Sequence, residues 1–286
     1  MAHALFRLGI FGNCQAQAME GMLAAHTELT DRFEVVPIKP VHEMSEAEKT
    51  GLAGVVETFD VFVCQPVSRD YGAIASDYLE GFARGDTLRF PSMWFSGHIP
   101  DAAYFRNEAG AKVGLPEIDY HSRIIAKCFA DGRSVDHAVR MFTDPAAIPE
   151  KVVSGHYDET MGELLTRENE CEIKISDLLR KKGRAWRGFH VMNHPRGEVL
   201  IHAANQILAH IGVKPIQKVT DPLAMIRWPV TASVNAALGS DEPHTMAFPG
   251  AVITIEMMVE HFYRLYSEDP SLIRVNEALI QDEWLS

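Results

Sequence analysis

The spacing of apolar residues changes repeatedly between two periods over the first hundred positions. Short apolar runs, which predict buried strands, lie at residues 5–11, 33–38, 59–67 and 87–95. Helical composition marks the segments between them, at residues 15–26, 45–58 and 76–85. The second of these segments opens with a capping-box spacing, Ser45 and Glu48. Strands that alternate with helices predict an α/β fold in which a parallel sheet is flanked by helices.

The remainder of the chain is mostly helical in pattern. Helical segments are predicted at residues 121–132, 134–142, 158–170, 171–183, 197–212 and 253–266. No internal repeat, low-complexity tract or flexible linker separates the two parts. We therefore predict an α/β core over residues 1–120 and a largely helical part over residues 121–286, packed together as one compact unit.

Composition narrows the classes of partner. The chain has 286 residues, of which 47% are hydrophobic and 23% charged, as expected for a folded protein. Lys and Arg number 27 against 39 Asp and Glu, which gives a net charge of −12. This acidic balance argues against nucleic acid or an anionic membrane surface as the main partner. An anionic ligand would need a local basic cluster.

The apolar segments and the four cysteines indicate where the protein is located. We expect no signal peptide at the N-terminus, and the most apolar late window, residues 247–266, carries charges that exclude a membrane span. The four cysteines, at positions 14, 64, 128 and 171, form no close pair. Neither a zinc site nor a disulfide framework is expected, and we predict a cytoplasmic protein with free thiols and no bound metal.

Three polar loops follow predicted strands, at residues 12–15, 65–69 and 96–101. In a parallel sheet, ligands bind beyond the carboxyl ends of the strands. The Gly12-Asn13-Cys14-Gln15 turn places Cys14 at a helix N-terminus, where backbone N–H groups would lower the thiol pKa and form an oxyanion hole. A buried structural cysteine and a phosphate-binding loop are the alternatives.

Further polar side chains, on these loops and near residue 194, could complete a catalytic site. His194, which is fixed ahead of a helix by Pro195, is a candidate base, although a surface loop histidine would fit the same pattern. Gln65 could donate to an oxyanion, and Arg69 could hold a phosphate or a sugar hydroxyl. His98 is a second candidate base.

Several of these segments together resemble a known family. FGNCQAQ, FDVFVCQPVSRDY, WFSGHIPDAAYF and NHPRGEVLIHAANQIL, within about residues 5–212, resemble the WcbI-type capsular polysaccharide biosynthesis proteins. Their arrangement is also similar to the SGNH hydrolases, with Cys14 in place of the usual serine. The resemblance implies an SGNH- or flavodoxin-like N-terminal half and a coenzyme A-dependent acetyltransferase, with Cys14 as the catalytic residue and His194 as its base.

The orienting residue stays open at this stage. SGNH proteins place an aspartate three residues before the histidine, where this chain has Val191. Asn193 is a candidate by analogy with Cys-His-Asn sites.

The acyl donor would also need cations for its phosphates. The densest basic cluster consists of Arg180, Lys181, Lys182, Arg184 and Arg187. Lys181, Lys182, Arg184 and Arg187 could bind coenzyme A phosphates, but basic residues before Gly183 are also ordinary helix-end chemistry.

The preferred hypothesis is therefore acetyl transfer from acetyl-CoA through Cys14 to a sugar hydroxyl in polysaccharide biosynthesis. A cysteine-dependent esterase or thioesterase of the same architecture is one alternative. A non-catalytic module that binds a nucleotide or a sugar is another, and it predicts an inert Cys14.

Overall fold

The computed structural model describes residues 5–115 and 118–281. The strands, in chain order, are β1 (Phe6–Phe11), β2 (Phe33–Val36), β3 (Val61–Cys64), β4 (Asp86–Arg89), β5 (Ala102–Ala103), β6 (Phe105–Arg106), β7 (Lys112–Val113), β8 (His121–Ser122), β9 (Phe189–Val191), β10 (His194–Pro195), β11 (Met246–Phe248) and β12 (Ala251–Ile253).

The helices are α1 (Cys14–Ala24), α2 (Thr27–Thr30), α3 (Glu46–Val56), α4 (Ser76–Glu80), α5 (Arg123–Ala130), α6 (Val135–Thr143), α7 (Glu150–Glu168), α8 (Ser176–Lys182), α9 (Gly197–His210), α10 (Ala232–Leu238), α11 (Ile255–Glu268), α12 (Ser271–Val275) and α13 (Glu277–Ile280).

The chain forms two compact units, each built from separated segments. The first unit contains the residues up to Trp94 together with Glu163–Lys181 and His194–Leu223. The second contains Phe95–Gly162, Lys182–Asn193 and the residues from Ala224 onwards. The boundary that we predicted at residue 120 does not coincide with this division, because later segments return to complete the first unit.

The first unit contains the parallel sheet, which confirms the predicted α/β fold. Its strand order is β2-β1-β3-β4, and every neighbouring pair is parallel. Because β2 lies on one side of β1 and β3 on the other, the strand order reverses direction at β1. The crevice for a ligand in such sheets lies at this reversal, beyond the carboxyl ends of the strands.

Local sequence explains why the helices begin where they do. The Ser45 hydroxyl accepts the Glu48 N–H, and the Glu48 carboxylate accepts the Ser45 N–H, so the predicted capping box is present at the start of α3. The helix then buries Leu52 and Val56 in the apolar layer on one face of the sheet. Helix α1 also packs against β1, and α9 packs in turn against α1.

The second unit combines helices with short antiparallel pairs of strands. The pairs are β5 with β8, β6 with β7, and β11 with β12. Helices α5, α6 and α11 pack on one another. The sequence pattern predicted a helix from residue 121, but residues 121 and 122 form β8, and the Ser122 hydroxyl caps α5 by accepting the Ile125 N–H.

Two buried titratable groups lie in the second unit. The Asp101 carboxylate accepts the Trp228 indole N–H, and burial raises its pKa to about 6. The His121 Nε2–H donates to the Val113 carbonyl, and His121 Nδ1 accepts the Tyr266 hydroxyl. Burial lowers the His121 pKa to about 4. Burial disfavours the charged form of each group, so the two shifts have opposite signs.

These shifts predict the pH dependence of stability. Between about pH 4 and pH 6, folded Asp101 holds a proton that its unfolded form has lost, which lowers the free energy of unfolding as pH rises. Folded His121 lacks a proton that its unfolded form holds, which raises that free energy over the same range. In the parent chain, the contributions of Asp101 and His121 to the pH dependence of the free energy of unfolding therefore oppose each other.

Asp101→Asn should remove the decrease in the free energy of unfolding that Asp101 causes as pH rises. The free energy of unfolding of this variant, relative to the parent, should rise by on the order of 1.4 kcal/mol per pH unit between about pH 4 and pH 6. Urea titrations at several pH values measure the difference. Parallel curves for the two proteins would contradict the assignment of the raised pKa to Asp101.

Candidate active site

The turn after β1 places Cys14 as the first residue of α1. The Asn13 side chain accepts the Gln15 N–H at 2.9 Å, and the Asn13 carbonyl accepts the Ala16 N–H at 3.0 Å. Asn13 is therefore the N-cap, and the thiol follows it directly. The first-turn N–H groups of the helix surround this position, as the sequence predicted.

Gly12 is needed where the turn leaves the sheet. A Cβ atom at this position would lie 2.5 Å from Oε1 of Gln65, which is closer than real Cβ contacts allow. The same Oε1 accepts the Asn13 N–H at 2.9 Å. The absence of a side chain at Gly12 thus lets Gln65, at the end of β3, hold the backbone beside Cys14.

A chain of amide hydrogen bonds extends from this contact. Gln65 Nε2 donates to Gln15 Oε1 at 2.8 Å, and the Met93 N–H donates to the same oxygen at 3.0 Å. Gln15 Nε2 donates in return to the Met93 carbonyl at 2.8 Å. Gln15 and Gln65 are both buried, and their hydrogen bonds fix the turn beside Cys14. The contacts of these two side chains with an oxyanion or a substrate stay predictions.

The protonation of Cys14 is governed by two opposing effects. Burial raises the pKa of the Cys14 thiol, while the N–H groups of Cys14 and Gln15 lower it by a smaller amount. The net shift is upward, so the expectation of a lowered pKa for the Cys14 thiol is wrong, although the N–H groups at the helix N-terminus act in the expected direction. The physical reason is desolvation of the thiolate, which the sequence pattern does not report. Cys14 consequently needs a base to become a nucleophile.

His194 lies in the same unit as Cys14. It is the first residue of β10, it is half-buried, and α9 contacts both β10 and α1. Its role as base stays a prediction.

Asn193 is held by two tyrosines that the sequence analysis did not select. The Tyr120 hydroxyl donates to Asn193 Oδ1 at 2.7 Å, and Asn193 Nδ2 donates to the Tyr104 hydroxyl at 3.0 Å. The oxygen of the Asn193 carboxamide is thus bonded to Tyr120, and its nitrogen is bonded to Tyr104. No local sequence signal identifies this contact, because the residues are far apart in the chain. The orienting role of Asn193 stays a prediction.

Two further candidates are engaged within the protein. His98 is buried, and its Nε2 donates to the Arg184 carbonyl at 2.8 Å. This bond fixes the tautomer and gives His98 a structural role. Arg69 is exposed and pairs with Asp77 at 2.8 Å. Nothing in this geometry selects either residue for chemistry.

The predicted basic cluster divides into exposed and buried members. Lys181, Lys182 and Arg184 are exposed. Arg184 pairs with Asp158 at 2.6 Å and lies over the Tyr157 ring, and Lys182 lies over the Trp186 ring.

Arg187 is the buried member. It donates to the carbonyl groups of Phe189, His190 and Trp228 and pairs with Glu242 at 3.6 Å. Its buried guanidinium therefore holds the second unit together. Lys181, Lys182 and Arg184 are the exposed candidates for binding a phosphate.

Two general features bear on the type of site. Over residues 5–115 and 118–281, no group of three or more His, Cys, Asp or Glu side chains is arranged to hold a metal ion. Within the same ranges, no helix is long and apolar enough to cross a bilayer.

The sequence and the fold of this chain are similar to those of known proteins. The sequence matches the family described as "Polysaccharide biosynthesis enzyme WcbI" over residues 7–216. No curated protein matches the chain. A solved structure of WcbI superposes with a TM-score of 0.82 at 20% sequence identity, covering 99% of this chain and 97% of that one. It is described as a novel polysaccharide biosynthesis enzyme, in its native form without a disulfide bond between coenzyme A and Cys14 of that protein.

Removing the Gln65 amide should loosen the turn that carries Cys14. Gln65→Leu leaves the Asn13 N–H without its acceptor and removes one donor to Gln15, so the free energy of unfolding should fall by about 1–3 kcal/mol. Gln17→Leu, on an exposed position of α1, is the matched control and should stay within about 0.5 kcal/mol of the parent. Equal urea midpoints for the two variants would show that the amide network does not support the turn.

Proposed function

Because the chain belongs to the WcbI family of polysaccharide biosynthesis enzymes, we propose that it is a coenzyme A-dependent acyltransferase. In this proposal Cys14 takes an acetyl group from acetyl-CoA and passes it to a sugar hydroxyl. Lys181, Lys182 and Arg184 are the exposed cations that would hold the donor phosphates.

The position of Cys14 is the observation that carries this proposal. It lies at the N-terminus of α1, beside the reversal of strand order where ligands bind in parallel sheets. Cys14 is half-buried, whereas the other three cysteines are buried. A partly accessible thiol on a turn held by buried amides is arranged for chemistry, because its position is set before a substrate arrives.

The description of the similar WcbI structure supports the choice of donor. That structure is described as being without a disulfide bond between coenzyme A and Cys14 of that protein, so its description names coenzyme A together with that cysteine. A disulfide bond of this kind would require the sulfur of coenzyme A to reach the cysteine sulfur. An acyl thioester of coenzyme A at the corresponding place in this chain would present its carbonyl carbon to Cys14.

The transfer consists of two balanced exchanges. The Cys14 sulfur forms a bond to the acyl carbon as the bond from that carbon to the coenzyme A sulfur breaks. A sugar hydroxyl oxygen then bonds to the same carbon, and the bond to Cys14 breaks. The hydroxyl proton passes to a base, and the departing Cys14 thiolate is stabilised by the N–H groups of Cys14 and Gln15.

His194 is the base that we propose. Since burial raises the pKa of Cys14, the thiol is protonated at neutral pH and must lose its proton to react. An imidazole can take the proton of an attacking nucleophile and return it to a leaving group. Asn193, which is held by Tyr104 and Tyr120, is the proposed orienting residue.

Cys14→Ala should abolish acyl transfer while the protein stays folded. After incubation with acetyl-CoA, the intact mass of the parent should increase by one acetyl group, and peptide mapping should place it on Cys14. Cys14→Ala should show no adduct but should still bind coenzyme A in titration calorimetry. Cys128→Ala removes a thiol from the second unit and should keep the adduct.

Two outcomes would contradict covalent catalysis by Cys14. One is a full acetyl adduct on Cys14→Ala, and the other is acetyl-CoA turnover by that variant at the parent rate. If the parent forms the adduct but releases acetate with every sugar offered, the thioesterase alternative is correct instead.

His194→Gln should slow the release of coenzyme A from acetyl-CoA. The expected loss is about 10²-fold or more in kcat, because the step loses its general base. His202→Gln on α9, a half-buried histidine that pairs with Asp177, is the matched control and should keep the parent kcat. Chromatographic measurement of free coenzyme A gives both rates. If His98→Gln loses more activity than His194→Gln, the base lies on the other loop.

A further inference from the structure

A serine–histidine pair that is not among the residues proposed for acyl transfer lies in the second unit. The Ser96 hydroxyl lies 3.0 Å from Nε2 of His156, and both side chains are half-buried. Ser96 belongs to the loop after β4, and His156 lies on α7. A serine hydroxyl at hydrogen-bond distance from an imidazole nitrogen is the basic arrangement of a base-activated nucleophile.

The backbone around Ser96 is fixed from both sides. The Ser96 N–H donates to the Thr160 hydroxyl at 3.3 Å, and Thr160 follows His156 by one helical turn. The same face of α7 therefore holds both the backbone and the side chain of Ser96. On the preceding side, the Phe95 N–H donates to the Met192 carbonyl at 2.7 Å, and the Phe95 ring packs edge-on against Tyr157.

The residue after Ser96 offers a donor beside the nucleophile. The Ile99 N–H donates to the Ser96 carbonyl at 2.9 Å, which closes a tight turn through Gly97. A Cβ at Gly97 would lie 2.7 Å from ring atoms of both Phe95 and Tyr157, so a larger residue would displace these rings. Among the described residues, the Gly97 N–H donates to no other group. The N–H that follows a nucleophile is a common oxyanion donor.

We propose that Ser96 and His156 form a serine esterase site, with Gly97 as an oxyanion donor, that hydrolyses small O-acetyl esters. The proposal does not depend on Cys14 or on coenzyme A, so the two sites can be tested separately.

The reaction would proceed in two halves. Ser96 Oγ bonds to the ester carbonyl carbon as His156 Nε2 takes the hydroxyl proton, and the carbonyl oxygen accepts the Gly97 N–H. The bond from carbon to the leaving alcohol then breaks, and the alcohol leaves with the proton from His156. Water next attacks the acetyl-serine by the same route, which releases acetate and restores Ser96. Water is the only co-reactant.

The test uses the full chain carrying Cys14→Ala, so that the thiol cannot react. A fluorophosphonate probe should label Ser96, forming a P–O bond as the P–F bond breaks and the hydroxyl proton goes to His156. Peptide mass spectrometry identifies the labelled residue. The same protein should hydrolyse p-nitrophenyl acetate, and Ser96→Ala should abolish both signals.

Substitution of the base separates catalysis from mere exposure of the hydroxyl. His156→Gln should slow labelling of Ser96 by about 100-fold or more. Ser154→Ala, a half-buried serine on the same helix, and His137→Gln, a half-buried histidine on α6, are matched controls that should leave both signals unchanged.

The proposal is overturned if Ser96 of the folded Cys14→Ala chain stays unlabelled while a serine hydrolase in the same tube reacts. It is also overturned if the probe modifies another residue, or if His156→Gln labels at the parent rate. The first two results need no substitution at the pair itself, so they decide the matter even if His156→Gln does not fold.

Discussion

The geometry of the candidate active site depends on the close approach between the backbone at Gly12 and the side chain of Gln65. Only glycine allows this approach, and it places the Gln65 oxygen on the Asn13 N–H. From that contact, the buried carboxamides of Gln65 and Gln15 connect the exits of β1 and β3 to the backbone at Met93. Three separate segments are thus held in one register around Cys14.

The environment of Cys14 combines two requirements that conflict. In the proposed reaction, partial burial of Cys14 limits the access of water and favours acyl transfer over hydrolysis, but it also makes the thiolate costly. The first-turn N–H groups of α1 recover only part of that cost. In the proposed reaction, the Cys14 thiol is therefore unreactive until a base removes its proton. A thiol with a raised pKa also reacts more slowly with oxidants and alkylating reagents, because those reactions require the thiolate.

The sequence predicted the sheet and the Cys14 turn because both are encoded locally. Each central strand is a short apolar run, and the capping box of α3 spans only Ser45 to Glu48. The two-residue strands between residues 102 and 122 could not be predicted, because they are too short to show a period. Long-range pairings could not be predicted either. Arg187 was a candidate phosphate ligand in the sequence, but it is buried, and it bonds to three carbonyl groups and pairs with Glu242. Local pattern therefore predicted the position of Cys14 at the start of α1, while the burial and the distant partners of its neighbours could not be read from the sequence.

The order in which segments join the first unit has a consequence for synthesis on the ribosome. All four strands of the parallel sheet have been made once Trp94 is complete, but α9, which packs against α1, ends at His210. At about 5–20 residues per second, roughly 6–23 seconds separate these two points. During that interval the sheet can form while the surface of α1 that later meets α9 is open to solvent. Chaperone binding and premature association of nascent chains would compete with folding in this window, and slower translation of the intervening segment would lengthen it.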